Sequence, residues 1–207
     1  EDIPVFSKKY DLVIHCLGMA HKNPKSLKEN SKYLKINFEG TLKIIKSLSF
    51  MPKSFVFIST VAVYGLDNGQ NINEDQKLLA KDYYGRSKIK NKNLLIDWAQ
   101  SNNIKLSILR LPLVVGKNPP GNLKSITKAI KYRYYMKINN GNAKRSMVLA
   151  EDVASIIISA SKIGGIYNLT DGYHPKIKEV EAKIAEKFGI KYLPSIPYFI
   201  PKIIASI

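Results

Sequence analysis

The sequence predicts an α/β fold built around an open parallel sheet. Residues 55–58 are four apolar residues rich in β-formers, which is typical of a strand buried on both faces. Apolar residues then recur at helical spacing after Tyr84. A second apolar run at residues 105–112 follows, so strands and helices alternate along the chain as they do in α/β proteins.

The first predicted strand covers residues 10–18 and leads into a glycine turn. We expect His15 in this strand to be a core histidine and not a catalyst. Residues 31–50 are predicted to form an amphipathic helix, because one face would carry Leu34, Phe38, Leu42, Ile45 and Leu48. Gly40 within this helix costs about 1 kcal/mol relative to alanine, so we expect it to have a packing reason.

The strand at residues 55–58 ends in two hydroxyls, Ser59 and Thr60. They lie at its carboxyl end, the edge at which open α/β sheets bind ligands. A polar loop, residues 66–82, precedes a helix that carries Tyr84 and Lys88 and is predicted to reach about residue 102. Four residues apart, these two side chains share one helical face. We expect the Lys88 cation to lower the pKa of Tyr84 towards neutral; the alternative is an ordinary exposed helical pair.

The remaining elements are two strands and two helices. A strand is predicted at residues 105–112 and a short one at residues 165–170. Helices are predicted at residues 121–131 and 177–188, and Asp152 is expected to cap a helix or to play another structural part.

The chain carries a net charge of +17, from 33 Lys and Arg against 16 Asp and Glu. Nucleic-acid binding is one hypothesis for such a chain. Only four cations are arginines (Arg86, Arg110, Arg133 and Arg145), the lysines are scattered, and we find no aromatic-rich stacking motif among them. We therefore expect a solvated basic surface and no nucleic-acid partner. A basic cleft would still attract anionic dinucleotides and nucleotide sugars.

Compartment signals in the sequence are few. The single cysteine, Cys16, excludes an internal disulfide framework. The N-terminus does not resemble a signal peptide, and no apolar run approaches the roughly 20 residues of a membrane-spanning helix. We expect a cytoplasmic protein without a membrane span.

Three motifs occur in a fixed order along the chain. Asn37-x-x-Gly40-Thr41 is followed by Ser59-Thr60-x-x-Val63-Tyr64-Gly65 and then by Tyr84-x-x-x-Lys88. Together they resemble the extended short-chain dehydrogenase/reductase family, whose members act mostly on nucleotide sugars as epimerases, dehydratases and 4-keto reductases. The resemblance runs from about residue 10 to the C-terminus and implies a Rossmann-like, doubly wound parallel sheet.

The resemblance also implies a site. Tyr84 would exchange a proton with the sugar, Lys88 would hold the nicotinamide ribose, and Thr60 would orient the reacting oxygen. The cofactor, NAD or NADP, would lie against Leu17, Gly18, Met19, Asn37, Ser59, Tyr84, Lys88 and Pro112. A UDP-sugar substrate would contact Thr60, Asn122, Leu123 and Arg145. His21 follows the glycine turn in a loop-like sequence and is given no role; no metal site is expected.

One family signature is absent, because the sequence contains no Gly-x-x-Gly-x-x-Gly loop for the cofactor pyrophosphate. The first strand here corresponds to the family's fourth, so relative to the family this fold is truncated at its N-terminus. The chain is either a fragment of an ordinary enzyme or a protein that keeps only the scaffold. The intact catalytic positions favour the first, and we expect the 207-residue chain alone to bind NAD(P) poorly.

Within the family, the resemblance is strongest to bacterial reductases and epimerases of UDP-N-acetyl sugars that act at the sugar C4 in surface-polysaccharide synthesis. A UDP-glucose 4-epimerase and a non-catalytic scaffold are the alternatives. Val61 and Ala62 replace the Asp-Glu pair of dehydratases, which disfavours a dehydratase. We expect residues 1–120 to form a partial dinucleotide-binding core. Residues 121–207 would hold further core elements and the start of a small substrate domain, and relatives suggest a homodimer.

Overall fold

The computed structural model describes residues 5–20, 32–117, 119 and 121–197. The chain forms two compact units. Unit 1 comprises residues 1–112 and 153–169, and unit 2 comprises residues 113–152 and 170–207. The chain therefore leaves unit 1 after residue 112 and returns to it at residue 153.

Unit 1 contains a four-stranded parallel sheet. Its strands are β1 (Leu12–His15), β2 (Ser54–Thr60), β3 (Lys105–Leu111) and β7 (Gly165–Asn168), and they lie side by side in that order. The smaller strands of unit 2 are β4 (Leu113–Val115), β5 (Lys137–Ile138), β6 (Met147–Leu149) and β8 (Ser195–Ile196). The parallel sheet with helical connections confirms the predicted α/β class.

The helices that the sequence predicts agree with the structure to within a few residues at most ends, and a further helix at Ala150–Ile163 was not predicted. The helices are α1 (Gly40–Lys46), which continues a π-helical turn at Leu34–Glu39, then α2 (Tyr83–Ser101), α3 (Gly121–Lys131), α4 (Ala150–Ile163) and α5 (Ile177–Lys187). A short 3-10 helix, Val61–Tyr64, follows β2. No helix in the described ranges is both long and apolar enough to cross a bilayer.

The core of unit 1 lies between the sheet and α2. Phe55 and Phe57 on β2 and Leu95 on α2 have no exposed surface, and Ile108 on β3 is almost fully buried. Each such side chain contributes roughly 1.5–3 kcal/mol by its burial. The Trp98 ring meets Phe55 edge to face at 5.3 Å between centroids. This packing holds α2 on the sheet and so determines where its first turn lies.

Two predicted elements differ from the structure. The sequence predicts a buried strand over residues 10–18, but β1 has only four residues and lies at one edge of the sheet, with Ile14 45% exposed. The helix expected to reach residue 50 ends at Lys46, because Leu48 leaves it to form a β-bridge with Phe6. The predicted start of that helix at residue 31 lies outside the described residues.

Unit 2 is held by its own small core. Strand β4 pairs with β6, and β5 pairs with β8, both in parallel. Ile130 of α3 and Ala185 of α5 pack with Ile190 and Leu193.

Candidate active site

Thr60 ends β2 at the carboxyl edge of the sheet. Its backbone is still extended, with φ −147° and ψ 151°, and the chain then turns into the 3-10 helix. The Thr60 Oγ1 accepts a hydrogen bond from the Ala62 N–H at 3.2 Å, which caps this helix. The side chain is therefore fixed and half-buried at the strand end, where the sequence predicts a ligand-binding hydroxyl.

The first turn of α2 places Tyr84 beside Thr60. Asp82 caps the helix, with its Oδ1 accepting from the Gly85 N–H at 2.8 Å. A Cβ on Gly85 would lie 2.5 Å from the Ala80 Cβ and 3.0 Å from the Ala62 carbonyl oxygen, so only glycine fits this close approach. As a result, the Tyr84 side chain lies next to Thr60, which is one of the groups that affect the Tyr84 pKa.

The pKa of Tyr84 is raised above its ordinary value. Burial is the largest cause, Thr60 opposes it, and Asp82 and Tyr33 raise the pKa further. The prediction that Lys88 brings this pKa down is wrong for this geometry. The Lys88 Nζ lies 5.9 Å from the Tyr84 ring centroid and is turned towards the backbone of β2.

Lys88 is a buried cation. It is only 3% exposed, its Nζ donates to the Ile58 carbonyl oxygen at 2.9 Å, and it lies 4.6 Å from the Phe57 ring centroid. Burial lowers the pKa of Lys88 to about 8. An ammonium has three N–H donors, so a group next to it with acceptor oxygens would be held well.

The loop after β1 passes directly over this ammonium. A Cβ on Gly18 would lie 3.3 Å from the Lys88 Nζ and 3.5 Å from the Asn37 Oδ1. A side chain at position 18 would therefore crowd both groups. Gly18 keeps the space beside Lys88 free, which fits its predicted place next to a cofactor.

Asn37 fixes that loop to α2. The side chain is completely buried, and its Oδ1 accepts from the Met19 N–H at 2.6 Å. Its Nδ2 donates to the Met19 carbonyl oxygen at 3.1 Å and to the Ser87 Oγ at 2.9 Å. Asn37 lies in the π-helical turn, a distortion that occurs frequently at functional sites. One amide thus holds the loop against the residue that precedes Lys88.

His15 is connected to Asn37 by hydrogen bonds through Thr41. Its Nδ1 accepts from the Leu17 N–H at 3.2 Å, so the ring proton is on Nε2 and is donated to the Thr41 Oγ1 at 2.7 Å. Thr41 in turn donates to the Asn37 carbonyl oxygen at 2.6 Å. Burial lowers the pKa of His15 to about 4, with Lys88 adding to the effect. His15 is a buried core residue, as expected.

A second buried network was missed by the sequence analysis. Arg110 is 2% exposed, and its Nη1 donates to the Tyr64 hydroxyl at 2.7 Å and to the Glu74 carbonyl oxygen at 2.9 Å. Tyr64 donates to the Asn168 Oδ1 at 2.7 Å, and Asn168 donates to the Ile72 carbonyl oxygen at 3.0 Å. The sequence offered one signal, since Tyr64 belongs to the segment of residues 59–65 that resembles a family motif.

This network ties the loop of residues 66–82 to the ends of β3 and β7. The Glu74 Oε1 completes it by accepting from the Asn168 N–H at 2.6 Å. Because the loop connects the 3-10 helix to α2, its position also affects the first turn of α2 and therefore Tyr84.

The other predicted site residues of unit 1 have mixed environments. Ser59 is buried in β2, Leu17 is 47% exposed, and Pro112 is half-buried just after β3. Their contacts with a cofactor stay predictions. Cys16 is a free, exposed cysteine whose pKa is raised by partial burial.

Three predicted substrate residues lie in unit 2. Asn122 and Arg145 are exposed, and the Arg145 N–H donates to the Pro175 carbonyl oxygen at 2.9 Å. Leu123 is 7% exposed, so its side chain is largely buried. Their roles also stay predictions, and His21 lies outside the described residues. Across residues 5–20, 32–117, 119 and 121–197, no three His, Cys, Asp or Glu side chains group as metal ligands do.

A dinucleotide fits part of this site. The space that a Cβ at Gly18 would fill and the buried ammonium beside it suit the hydroxyl groups of a ribose. The fit is limited to this end of the cofactor, because the sequence has no glycine-rich turn for the pyrophosphate.

The sequence matches a protein-family model and individual curated proteins. The model of the NAD dependent epimerase/dehydratase family matches residues 3–169. An N-acetyl-α-D-glucosaminyl-diphospho-ditrans,octacis-undecaprenol 4-epimerase of Escherichia coli O157:H7 is 26% identical, over 89% of this chain and 58% of its own. A GDP-6-deoxy-D-mannose reductase of Pseudomonas aeruginosa is 25% identical, over 85% of this chain and 62% of its own. The chain thus spans about three fifths of the length of these relatives.

Solved structures share the fold. The Pseudomonas aeruginosa protein RMD, complexed with NADPH, has a TM-score of 0.77 at 21% identity and covers 93% of this chain, which in turn covers 71% of it. A UDP-glucose 4-epimerase of Thermus thermophilus, complexed with NAD, has a TM-score of 0.74 at 23% identity over 91% of this chain and 65% of its own.

Proposed function

Since this chain belongs to the NAD dependent epimerase/dehydratase family, we propose that it carries the catalytic residues of an NAD(P)-dependent enzyme acting at C4 of a diphosphate-linked sugar. The supporting observation is that Thr60, Tyr84 and Lys88 converge at the carboxyl edge of the unit 1 sheet. Three groups of the types needed for proton transfer and ribose binding lie together there. A scaffold without catalysis would not need this arrangement.

The state of Tyr84 favours the reductive direction. Because its pKa is raised, the phenol holds its proton at neutral pH and can donate it to a ketone oxygen as that oxygen becomes a hydroxyl. Thr60 orients the same oxygen through a hydrogen bond. Lys88 holds the cofactor ribose, and the bound dinucleotide supplies hydride exchange at the sugar carbon. We therefore place a 4-keto reductase first and a 4-epimerase, such as a UDP-glucose 4-epimerase, second.

The proposed substrate is a UDP-N-acetyl sugar used in surface-polysaccharide synthesis. Arg145 would bind the diphosphate, because a guanidinium matches phosphate oxygens in a bidentate manner. Asn122 is the second exposed candidate for the same role. The two relatives act on a lipid diphosphate sugar and on a GDP sugar, so the shared chemistry is a sugar on a diphosphate. A cytoplasmic homodimer completes the proposal.

Activity tests this proposal most directly. The gene product, with any residues that precede this chain, would be assayed with NADH and NADPH against a panel of UDP-, GDP- and lipid-diphosphate 4-keto sugars. Tyr84→Phe is expected to lower kcat by about 10²-fold or more, since proton transfer contributes about 10²–10⁴-fold. Tyr83→Phe is the matched control and should keep full turnover. Equal kcat values for the two variants would remove Tyr84 from the mechanism.

The 207-residue chain alone has its own test. Without a glycine-rich loop it should bind NADH poorly, so a fluorescence titration should show no saturation in the micromolar range. Micromolar binding would contradict this expectation, but it would leave the proposed role of Tyr84 intact.

A further inference from the structure

One surface of unit 2 exposes large apolar side chains to an unusual degree. Four of them alternate with other residues after α3: Tyr132, Tyr134, Met136 and Ile138 are 60%, 59%, 50% and 48% exposed. Tyr192 is 76% exposed, and it lines a depression together with Arg133, which lies between Tyr132 and Tyr134. Single exposed apolar residues are normal, but residues 132–138 carry four of them, and the pairing of β5 with β8 brings the segment of Tyr192 beside them, as is typical of an interaction site.

The local backbone explains why these side chains face outward. After α3 ends at Lys131, Arg133 takes a left-handed conformation with φ 62°, and the chain then enters β5. Tyr135 turns inward, and its hydroxyl donates to the buried Glu181 carboxylate at 2.5 Å. This inward tyrosine anchors the segment, so the residues on either side of it are presented to solvent.

Positive charge accompanies these side chains. Lys131 and Arg133 are exposed, and the Lys131 Nζ lies 5.5 Å from the Tyr132 ring centroid. The sequence contains no acidic residue between Asp97 and Glu151. The statement that no aromatic-rich stacking motif lies among the cations overlooks residues 131–137, where three tyrosines are interleaved with Lys131, Arg133 and Lys137. We call residues 131–138 and 191–192 the basic–aromatic surface.

A depression of about 450 Å³ lies beside this surface. Lys137, Lys178 and Lys191 contribute to its lining, together with the apolar side chains of Ile190 and Leu193. The acidic lining residue Glu186 pairs with Lys183 at 2.9 Å. Several ammonium groups next to an apolar floor suit a phosphate that is attached to an apolar body.

We propose that the basic–aromatic surface docks unit 2 on an anionic phospholipid bilayer. Tyrosine rings prefer the boundary between headgroups and acyl chains, where one end is apolar and the other is wet. Lysine and arginine beside them are attracted to anionic headgroups. Met136 and Ile138 add aliphatic surface, which a bilayer accommodates and which base stacking in a nucleic acid does not use. The proposal does not depend on the proposed catalytic function.

Vesicle co-sedimentation tests it with the unmodified chain and two double variants. Binding is expected to phosphatidylcholine vesicles that contain phosphatidylglycerol, and to weaken as salt rises. Lys131→Gln with Arg133→Gln should reduce partitioning by about fivefold per removed cation. Tyr132→Ser with Tyr134→Ser should reduce it by a similar factor, and should do so in low salt as well.

Matched controls remove the same groups from exposed positions of unit 1. Lys9→Gln with Lys162→Gln removes two cations, and Tyr10→Ser with Phe50→Ser removes two exposed rings. Both controls should keep wild-type partitioning, and thermal unfolding should show that every variant is folded.

Three results would overturn the proposal: no binding to anionic vesicles, equal binding by all four variants, or retention of a DNA duplex without vesicle binding. Each of them leaves the turnover assay of Tyr84 unaffected, because sedimentation requires no catalysis.

Discussion

Two buried polar networks in unit 1 each hold a loop against a helix or the sheet, but they use different chemical groups. The Asn37 network joins the loop after β1 to α2 and uses only neutral groups. The Arg110 network joins the loop of residues 66–82 to β3 and β7 and buries a guanidinium. An amide can both donate and accept, so Asn37 satisfies both backbone groups of Met19. A guanidinium only donates, and it needs carbonyl and hydroxyl acceptors around it.

The two networks use different groups because their electrostatic surroundings differ. Beside Lys88 a second buried cation would raise the electrostatic cost of the first, and a neutral amide avoids this. The loop of residues 66–82 instead turns carbonyl oxygens of Ile72, Asn73 and Glu74 to the interior. They accept from the Asn168 amide, the Tyr64 phenol and the Arg110 guanidinium respectively.

The largest effect is expected from Asn37→Ala. It removes three hydrogen bonds and leaves both backbone groups of Met19 without this partner, at about 1–3 kcal/mol per buried unsatisfied group. We expect the free energy of unfolding to fall by about 4 kcal/mol in urea denaturation. Asn91→Ala is the matched control, because Asn91 is equally buried but its amide makes one bond, to the Asn37 carbonyl oxygen. An Asn91→Ala variant as unstable as Asn37→Ala would refute the ranking.

Acid should weaken the Asn37 network through His15. Its folded-state pKa of about 4 lies below the ordinary 6.5, so the unfolded chain binds more protons between these values. Stability from the neutral ring is fully present above pH 6.5 and is lost as the pH falls towards 4, by up to about 3 kcal/mol at about 1.4 kcal/mol per pH unit. The destabilisation caused by His15→Gln should therefore shrink on acidification in urea melts at several pH values. A constant difference would contradict this assignment.

A smaller effect, about 2 kcal/mol, is expected from Arg110→Lys. The charge remains, but both hydrogen bonds come from Arg110 Nη1, and the shorter lysine side chain does not bring its ammonium to that position beside Tyr64 and the Glu74 carbonyl oxygen. Hydrogen exchange should rise in residues 66–82 and stay unchanged at Met19. Arg86→Lys, at an exposed position of α2, is the control. Equal protection of the loop in both variants would show that Arg110 does not hold it.

The smallest effect is expected from Gly40→Ala. A Cβ there would lie 3.2 Å from the Leu17 Cδ2, the end of a flexible and partly exposed side chain that can move. The gain of about 1 kcal/mol in helix propensity should offset this crowding, so stability should change by less than about 1 kcal/mol. Gly85→Ala is the contrasting variant, because its Cβ would meet the Ala62 carbonyl oxygen at 3.0 Å and the Ala80 Cβ at 2.5 Å. A loss at Gly40 as large as the loss at Gly85 would show that α1 cannot adjust.

The amino-acid sequence alone predicts the alternation of strands and helices, the limits of α3, and the position of Tyr84 and Lys88 on one helical face. These features depend on local spacing, which periodicity records directly. The position of Thr60 at the end of a strand could also be predicted, because chain direction determines which edge of a parallel sheet is the carboxyl edge.

The pKa values at the site, and the hydrogen bonds that hold its side chains in place, follow only from the tertiary structure. The pKa of Tyr84 rises because burial outweighs the opposing effect of Thr60, and burial depends on packing between segments distant in the chain. Arg110, Tyr64 and Asn168 come from three separate segments of the chain. No local pattern therefore predicts the hydrogen bonds from Arg110 to Tyr64 and from Tyr64 to Asn168. The outward tyrosines of unit 2 likewise depend on the inward anchor between Tyr135 and Glu181, a contact across 46 residues that spacing alone does not contain.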